Sequence, residues 1–395
     1  RLLDDARRIC ETQIRFWHGD GPPPFSHYVF MLWATGEGYG GLEHRNSTAL
    51  ICQRQDLPLK PGQAKAKPAA LKATDGYTTL LGLISHEYFH AWNVKRLRPA
   101  EFARVDYDQE NYTGLLWFFE GFTSYYDDLL LRRAGLIDDA TYLQLLMRNL
   151  NQVLQTPGRH LQSVAQASFD AWVKFYRVGE NTSNATVSYY SKGALVALCL
   201  DLTLRAEGHT TLDAVMRELW SRTGGGPMKE VDVARALKRL GRRDYAAELA
   251  AWVHGTGDLP AVALLQAHGA KAEPEKAPLA QQLGLRVADS GGALTVKAVL
   301  RGGAGEAAGL AAGDEWLGIE LPPARRGAPA EAWRLRKLDE LPALLGPQRR
   351  FTALVSRDRR LLRCPMAWPD DGTGTAHAFK LSVGSAEQLR PWLAP

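Results

Sequence analysis

Apolar residues recur every three to four positions from Arg1 to about His18, with arginines, aspartates and a glutamate between them, and this spacing predicts an amphipathic helix. GDGPPP at 19–24 ends it as a loop, and the aromatic, β-rich run FSHYVFMLWA at 25–34 predicts a strand. GEGYGGLEHRNS at 36–47 is glycine-rich and then polar, which suits an edge strand or a loop approaching a ligand. LPLKPGQAKAKPAA at 57–70 reads as an exposed loop. The helical period returns from about Tyr77 to Val94, with Thr74 or Asp75 as N-cap, and again from about Leu115 to Ala134. Further helical segments fill 138–253, among them 191–206 and 211–223, punctuated by TGGGP at 223–227 and HGTGDLP at 254–260. KAEPEKAP at 271–278 reads as a charged, proline-containing linker, after which the pattern changes. From about Leu279 to Met366, short β-type runs alternate with glycine turns. The segment 371–395 is turn-rich, then strand and helix, with no functional reading.

An α+β chain follows, divided at 1–135, 136–270 and 271–370 with a tail at 371–395. Its 395 residues exceed one ordinary compact core. The net charge of +5 is spread among acidic residues, which argues against a nucleic-acid face. No run of about 18 to 20 apolar residues predicts a membrane span. Cys10, Cys52, Cys199 and Cys364 lie far apart, resembling neither a metal cluster nor a dense disulfide framework. The opening has neither an initiator Met nor a signal segment, and reads like a fragment beginning after something else.

HEYFH at 86–90 carries the chemistry. On a helix, positions i and i+4 share a face, so His86 and His90 can reach one tetrahedral zinc ion while Glu87 reaches a water in the open position. The plainer alternative is two histidines pairing with surface carboxylates. A third ligand is needed, and Glu120 lies in LLWFFEGF at 115–122, where an unpaired carboxylate would be costly. An ordinary glutamate bonded to a backbone amide is the competing reading there. Hydrolysis also needs a donor for the oxyanion, and SYYSKGA at 188–194 supplies Tyr189 and Tyr190 just before a helical run. Residue type alone does not separate the two.

HEYFHAWNVKRLRP, NYTGLLWFFEGFTSYYDDL and YYSKGA together resemble the glycyl aminopeptidase family of zinc metallopeptidases, related to aminopeptidase N and more distantly to thermolysin. The resemblance covers most of 1–260. It implies a thermolysin-like gluzincin catalytic domain completed by a mostly helical subdomain, with His86, His90 and Glu120 holding one Zn2+ and Glu87 as general base. Matching YSKGA of aminopeptidase N, it favours Tyr190 as the donor. GGLEH at 40–44 looks like the GAMEN-type exopeptidase motif. Gly40 and Gly41 would let the strand edge pair with substrate, and Glu43 would meet a free α-amino group. His44 replaces the asparagine of that motif, and Glu37 competes for the role of Glu43.

The resemblance further implies peptide substrates with a free N-terminus, release of Gly or Ala, a periplasmic or secreted bacterial location, and an all-β domain ahead of the catalytic region. LGLRV at 283–287 followed by VKAVLRGGAGEAAGLAAGDEWLGIE at 296–320 resembles a PDZ domain. That implies a peptide C-terminus cradled by amides near Leu283, Gly284 and Leu285, with a purely structural role for the module as the alternative. Two other functions compete: an endopeptidase with the same metal site, and a PDZ-centred binding protein with an inactive core.

Overall fold

The computed structural model describes residues 1–58, 73–323, 325, 329–368 and 377–394. Most of the expected loop at 57–70 and the start of the expected tail lie outside the described residues.

The opening helix, Leu2–His18, buries Ile9, Gln13, Phe16 and Trp17 and leaves its charged face to solvent. Gln13 reaches across to the Ser85 carbonyl at 2.8 Å, tying this helix to the one that carries HEYFH. That second helix, Asp75–Phe89, is capped by the Thr74 side chain, which accepts from the Tyr77 amide at 3.1 Å. It is buried on nearly every side, between a small sheet, the opening helix and the helix Gly121–Arg133. It stops at Phe89, short of the Val94 expected from the sequence, because the chain turns sharply and Val94 takes a positive φ of 128°.

The small sheet has Ser47–Gln53 at its centre, parallel to Val29–Thr35 and antiparallel to Gly40–Glu43. Gly40–Glu43 is therefore an edge strand, with Gly41 opposite Leu50 and Glu43 opposite Thr48. The single helix expected over 115–134 is broken into Leu116–Phe119 and Gly121–Arg133, with Glu120 at the break.

Tyr189–Glu207 is a central helix, buried on all faces. It crosses Gly121–Arg133 so closely that a Cβ on Gly193 would lie 2.6 Å from the Trp117 carbonyl and 2.9 Å from the Gly121 Cα. Glycine at both positions permits this crossing, and it brings the start of the central helix against the break at Glu120.

Six strands between Leu285 and Ala367 form a second body around Leu294, Val296, Trp316, Ile319, Phe351 and Val355. Most of 271–278, expected as a linker, is instead the strand Ala270–Lys276, which pairs antiparallel with His377–Val383. The helix Ala386–Leu393 likewise returns to the larger core through Leu389, Trp392 and Leu393. An amphipathic strand needs a partner, and that partner comes from the far end of the chain, which local pattern does not reveal.

The β module is tied to the helical body by the Asn184 carboxamide, which donates to the Val299 carbonyl at 2.8 Å and accepts from the Arg301 amide at 2.9 Å. Arg286 and Gln281 both donate to the Gln155 carbonyl at 3.3 Å. Two of the three amides expected to cradle a peptide carboxylate are engaged. Leu283 donates to the Leu279 carbonyl at 3.1 Å and Gly284 to that of Gln281 at 3.0 Å, because a short helix, Leu279–Gln282, closes on them. No helix among the described residues is long and apolar enough to cross a membrane.

Candidate metal centre and active site

His86 lies in the last turn of its helix and His90 caps the C-terminus, so both rings project from one face. The His90 Nδ1–H donates to the Asn93 carbonyl at 2.7 Å, and His86 Nδ1 meets Asp127 Oδ2 at 3.0 Å. A carbonyl only accepts, so in a neutral ring His90 keeps its lone pair on Nε2. Asp127 likewise turns His86 so that its Nε2 faces inward. The two Nε2 atoms lie 3.1 Å apart, and Glu120 Oε2 is 3.3 Å from His86 and 3.2 Å from His90.

Three donors facing one another at this range demand positive charge between them. With protons alone, Asp127 and Glu120 raise His86 well above its ordinary value despite the opposing pull of burial. Glu120 is held well below the usual carboxylate range by both imidazoles, against the effect of burial. A divalent ion satisfies the same demand with better geometry. Tetrahedral ligands at about 2.0–2.1 Å from a metal stand roughly 3.3–3.4 Å apart, close to the separations here. The donor set fits a metal ion, and His86, His90 and Glu120 are its candidate ligands.

Glu87 is buried beside this cluster, and burial raises its carboxyl above the ordinary carboxylate value while both histidines oppose the shift. One carboxylate oxygen, Oε2, is enclosed with no hydrogen-bond partner among the described residues. Such an atom is costly unless a ligand or water meets it. Its other oxygen, Oε1, lies 2.1 Å from where a Cβ on Gly41 would stand, so the absence of a side chain at 41 is what admits Glu87. Gly40 has no comparable neighbour within 4 Å of its Cβ position.

Glu43 lies near enough to Glu87 and His90 to influence both electrostatically. Its carboxylate is paired with Lys95 Nζ at 3.0 Å. Glu37 is exposed, as is His44, whose Nδ1 lies 3.1 Å from the Leu42 carbonyl. The two tyrosines that residue type leaves equal separate in space. Tyr189 is buried, with its hydroxyl donating to Tyr176 at 3.4 Å. The ring of Tyr190 stands 6.3 Å from that of His86. Burial and the nearby Glu120 charge raise its phenol far above the normal range, so it stays a donor.

Four neighbours of the site carry no role in the sequence reading. Asp127 follows Glu120 by seven residues, two helical turns along the same face, a spacing that could have marked it. Asn93 orients His90 and is itself held by the Phe119 carbonyl at 3.2 Å and the Thr123 hydroxyl at 3.1 Å. Lys95 and Tyr176 offered no local signal. The Tyr176 hydroxyl lies 3.3 Å from that of Tyr190.

The M61 glycyl aminopeptidase family pattern matches residues 79–196, the span from the HEYFH helix to the start of the central helix. An aminopeptidase N family protein from Idiomarina loihiensis is 34% identical with a TM-score of 0.87, over 100% of this chain and 66% of that one. This chain therefore spans just under two thirds of that protein's length. An M1 zinc metallopeptidase from Deinococcus radiodurans is a loose likeness, 17% identical with a TM-score of 0.39 over 65% of this chain and 45% of that one. A comparison with curated proteins finds no match.

Proposed function

We propose that this chain, whose residues 79–196 match the M61 glycyl aminopeptidase family pattern, is a zinc metallopeptidase that removes residues from the free N-terminus of peptides, favouring Gly or Ala. The observation that carries the reading is the convergence of His86, His90 and Glu120 beside an enclosed, unpartnered oxygen of Glu87. When bound, the metal supplies Lewis acidity toward the scissile carbonyl and makes an attacking water more acidic. Glu87, with its carboxyl already raised by burial, takes the proton of that water and passes it to the leaving amine. Tyr190, kept protonated by burial and by Glu120, donates to the oxygen on which negative charge grows. The edge strand Gly40–Glu43 pairs with the substrate backbone, and Glu43 receives its α-ammonium.

We read the β module as PDZ-like. Engagement of the Leu283 and Gly284 amides, together with the bonds of Asn184 and Gln155 to the module, favours a docking role for it over capture of a peptide terminus.

Glu87→Gln tests the assignment. Hydrolysis of Gly-Ala-Ala should be lost while the protein keeps about one equivalent of zinc, and unchanged turnover would remove Glu87 from the reaction. The N-acetylated tripeptide should be cleaved far more slowly than the free one. Equal rates would make this an endopeptidase.

A further inference from the structure

The turn after His90 is built to present one side chain. Val94, β-branched, is held at φ 128°, a conformation such residues rarely adopt and which persists only where surroundings enforce it. The enforcing contacts are present. Val94 donates its amide to the Leu97 carbonyl at 2.8 Å, and Lys95 donates its own to that of His90 at 3.1 Å. The next side chain, Arg96, clamps the carbonyls of Ala91 at 2.6 Å, Arg45 at 2.7 Å and Pro24 at 3.2 Å. What this turn holds out is the Lys95 ammonium, 3.0 Å from the Glu43 carboxylate, with both side chains more than two-thirds buried.

Glu43 is the carboxylate read above as the seat of the substrate's α-ammonium, and the inference rests on that reading. A carboxylate already neutralised by one ammonium attracts a second less strongly, and the two cations repel at contact range. We propose that Lys95 is a specificity-setting residue that weakens recognition of the free N-terminus, so that an incoming α-ammonium must share or displace the cation already on Glu43. Lys95 therefore governs how strictly the enzyme acts as an exopeptidase.

The test separates binding from turnover. In the Glu87→Gln background, the affinity of zinc-loaded protein for Gly-Ala-Ala and for N-acetyl-Gly-Ala-Ala is measured by calorimetry, with Lys95→Met, Lys95→Arg and Glu43→Gln added in turn. Methionine keeps the aliphatic stem and removes the charge. Lys95→Met should tighten the free-amine peptide roughly three- to tenfold, as loss of one competing ion pair allows, and leave the acetylated peptide unchanged. Lys95→Arg should behave as the parent. If Glu43→Gln weakens the free-amine peptide while Lys95→Met changes neither peptide or both alike, the role of Lys95 is overturned and the amine anchor stands. If Glu43→Gln has no effect on either peptide, the amine anchor fails and this proposal fails with it.

Discussion

Replacing Gly193 by alanine sets two physical effects of opposite sign against each other. In a helix interior alanine is favoured over glycine by about 1 kcal/mol, so an open site would gain stability. At this crossing the new Cβ would stand 2.6 Å from the Trp117 carbonyl and 2.9 Å from the Gly121 Cα, both main-chain atoms that cannot rotate aside. Relief to the 3.4 Å at which ordinary contact begins requires the two helices to part by about 0.8 Å. Overpacking of this kind costs about 1–3 kcal/mol, enough to cancel or reverse the propensity gain. The displacement also falls between Glu120 and Tyr190, and a misplacement near 1 Å can lower a rate by about a hundredfold. The assay pairs thermal unfolding with kcat on Gly-Ala-Ala. Gly82→Ala serves as control, since its Cβ would meet only Asp128 Oδ1, at 3.4 Å. The control should gain stability with little loss of rate, whereas Gly193→Ala should show no gain and a kcat lower by roughly ten- to a hundredfold. A Gly193→Ala protein that is about 1 kcal/mol more stable and fully active would refute the close crossing.

Asp127→Asn should weaken zinc binding about ten- to a hundredfold in a competition titration with a chromophoric chelator, because a neutral amide supports the His86 ring less well; unchanged affinity would deny Asp127 that role. Tyr176→Phe should lower kcat about two- to tenfold at constant KM by removing one hydrogen bond to Tyr190, and should have no effect in a Tyr190→Phe background; a persisting effect there would mean Tyr176 acts independently. Lys192 is buried, and its amine is pushed down to about 8 by burial, only partly countered by Asp258. Between about pH 8 and the ordinary lysine value of 10.5 the unfolded chain therefore binds the extra proton, so stability should rise with pH in that window, by up to about 3 kcal/mol. Lys192→Met should flatten that rise in urea midpoints measured at pH 8 and 10, and an identical slope would contradict it.

The candidate metal ligands were legible because their chemistry is written in local spacing. Two histidines four apart meet on any helix, and a carboxylate among Trp117, Phe118, Phe119 and Phe122 needs a partner. Element types were legible for the same reason, since period and capping residues act over one or two turns, as the Thr74 cap shows. Tertiary structure decided the rest. The break at Glu120, the early end of the HEYFH helix and the return of 377–383 to pair with 270–276 each depend on atoms distant in sequence. So does the separation of Tyr189 from Tyr190, adjacent residues of one type, of which the first is buried with its hydroxyl on Tyr176 and the second has its ring 6.3 Å from that of His86. Lys95 is the clearest case. A lysine after an HExxH helix has no particular meaning in one dimension, and its place beside Glu43 comes from a strained turn that carries its charge to a carboxylate on another strand. Periodicity and spacing determine which groups can act, and long-range packing determines which of them meet.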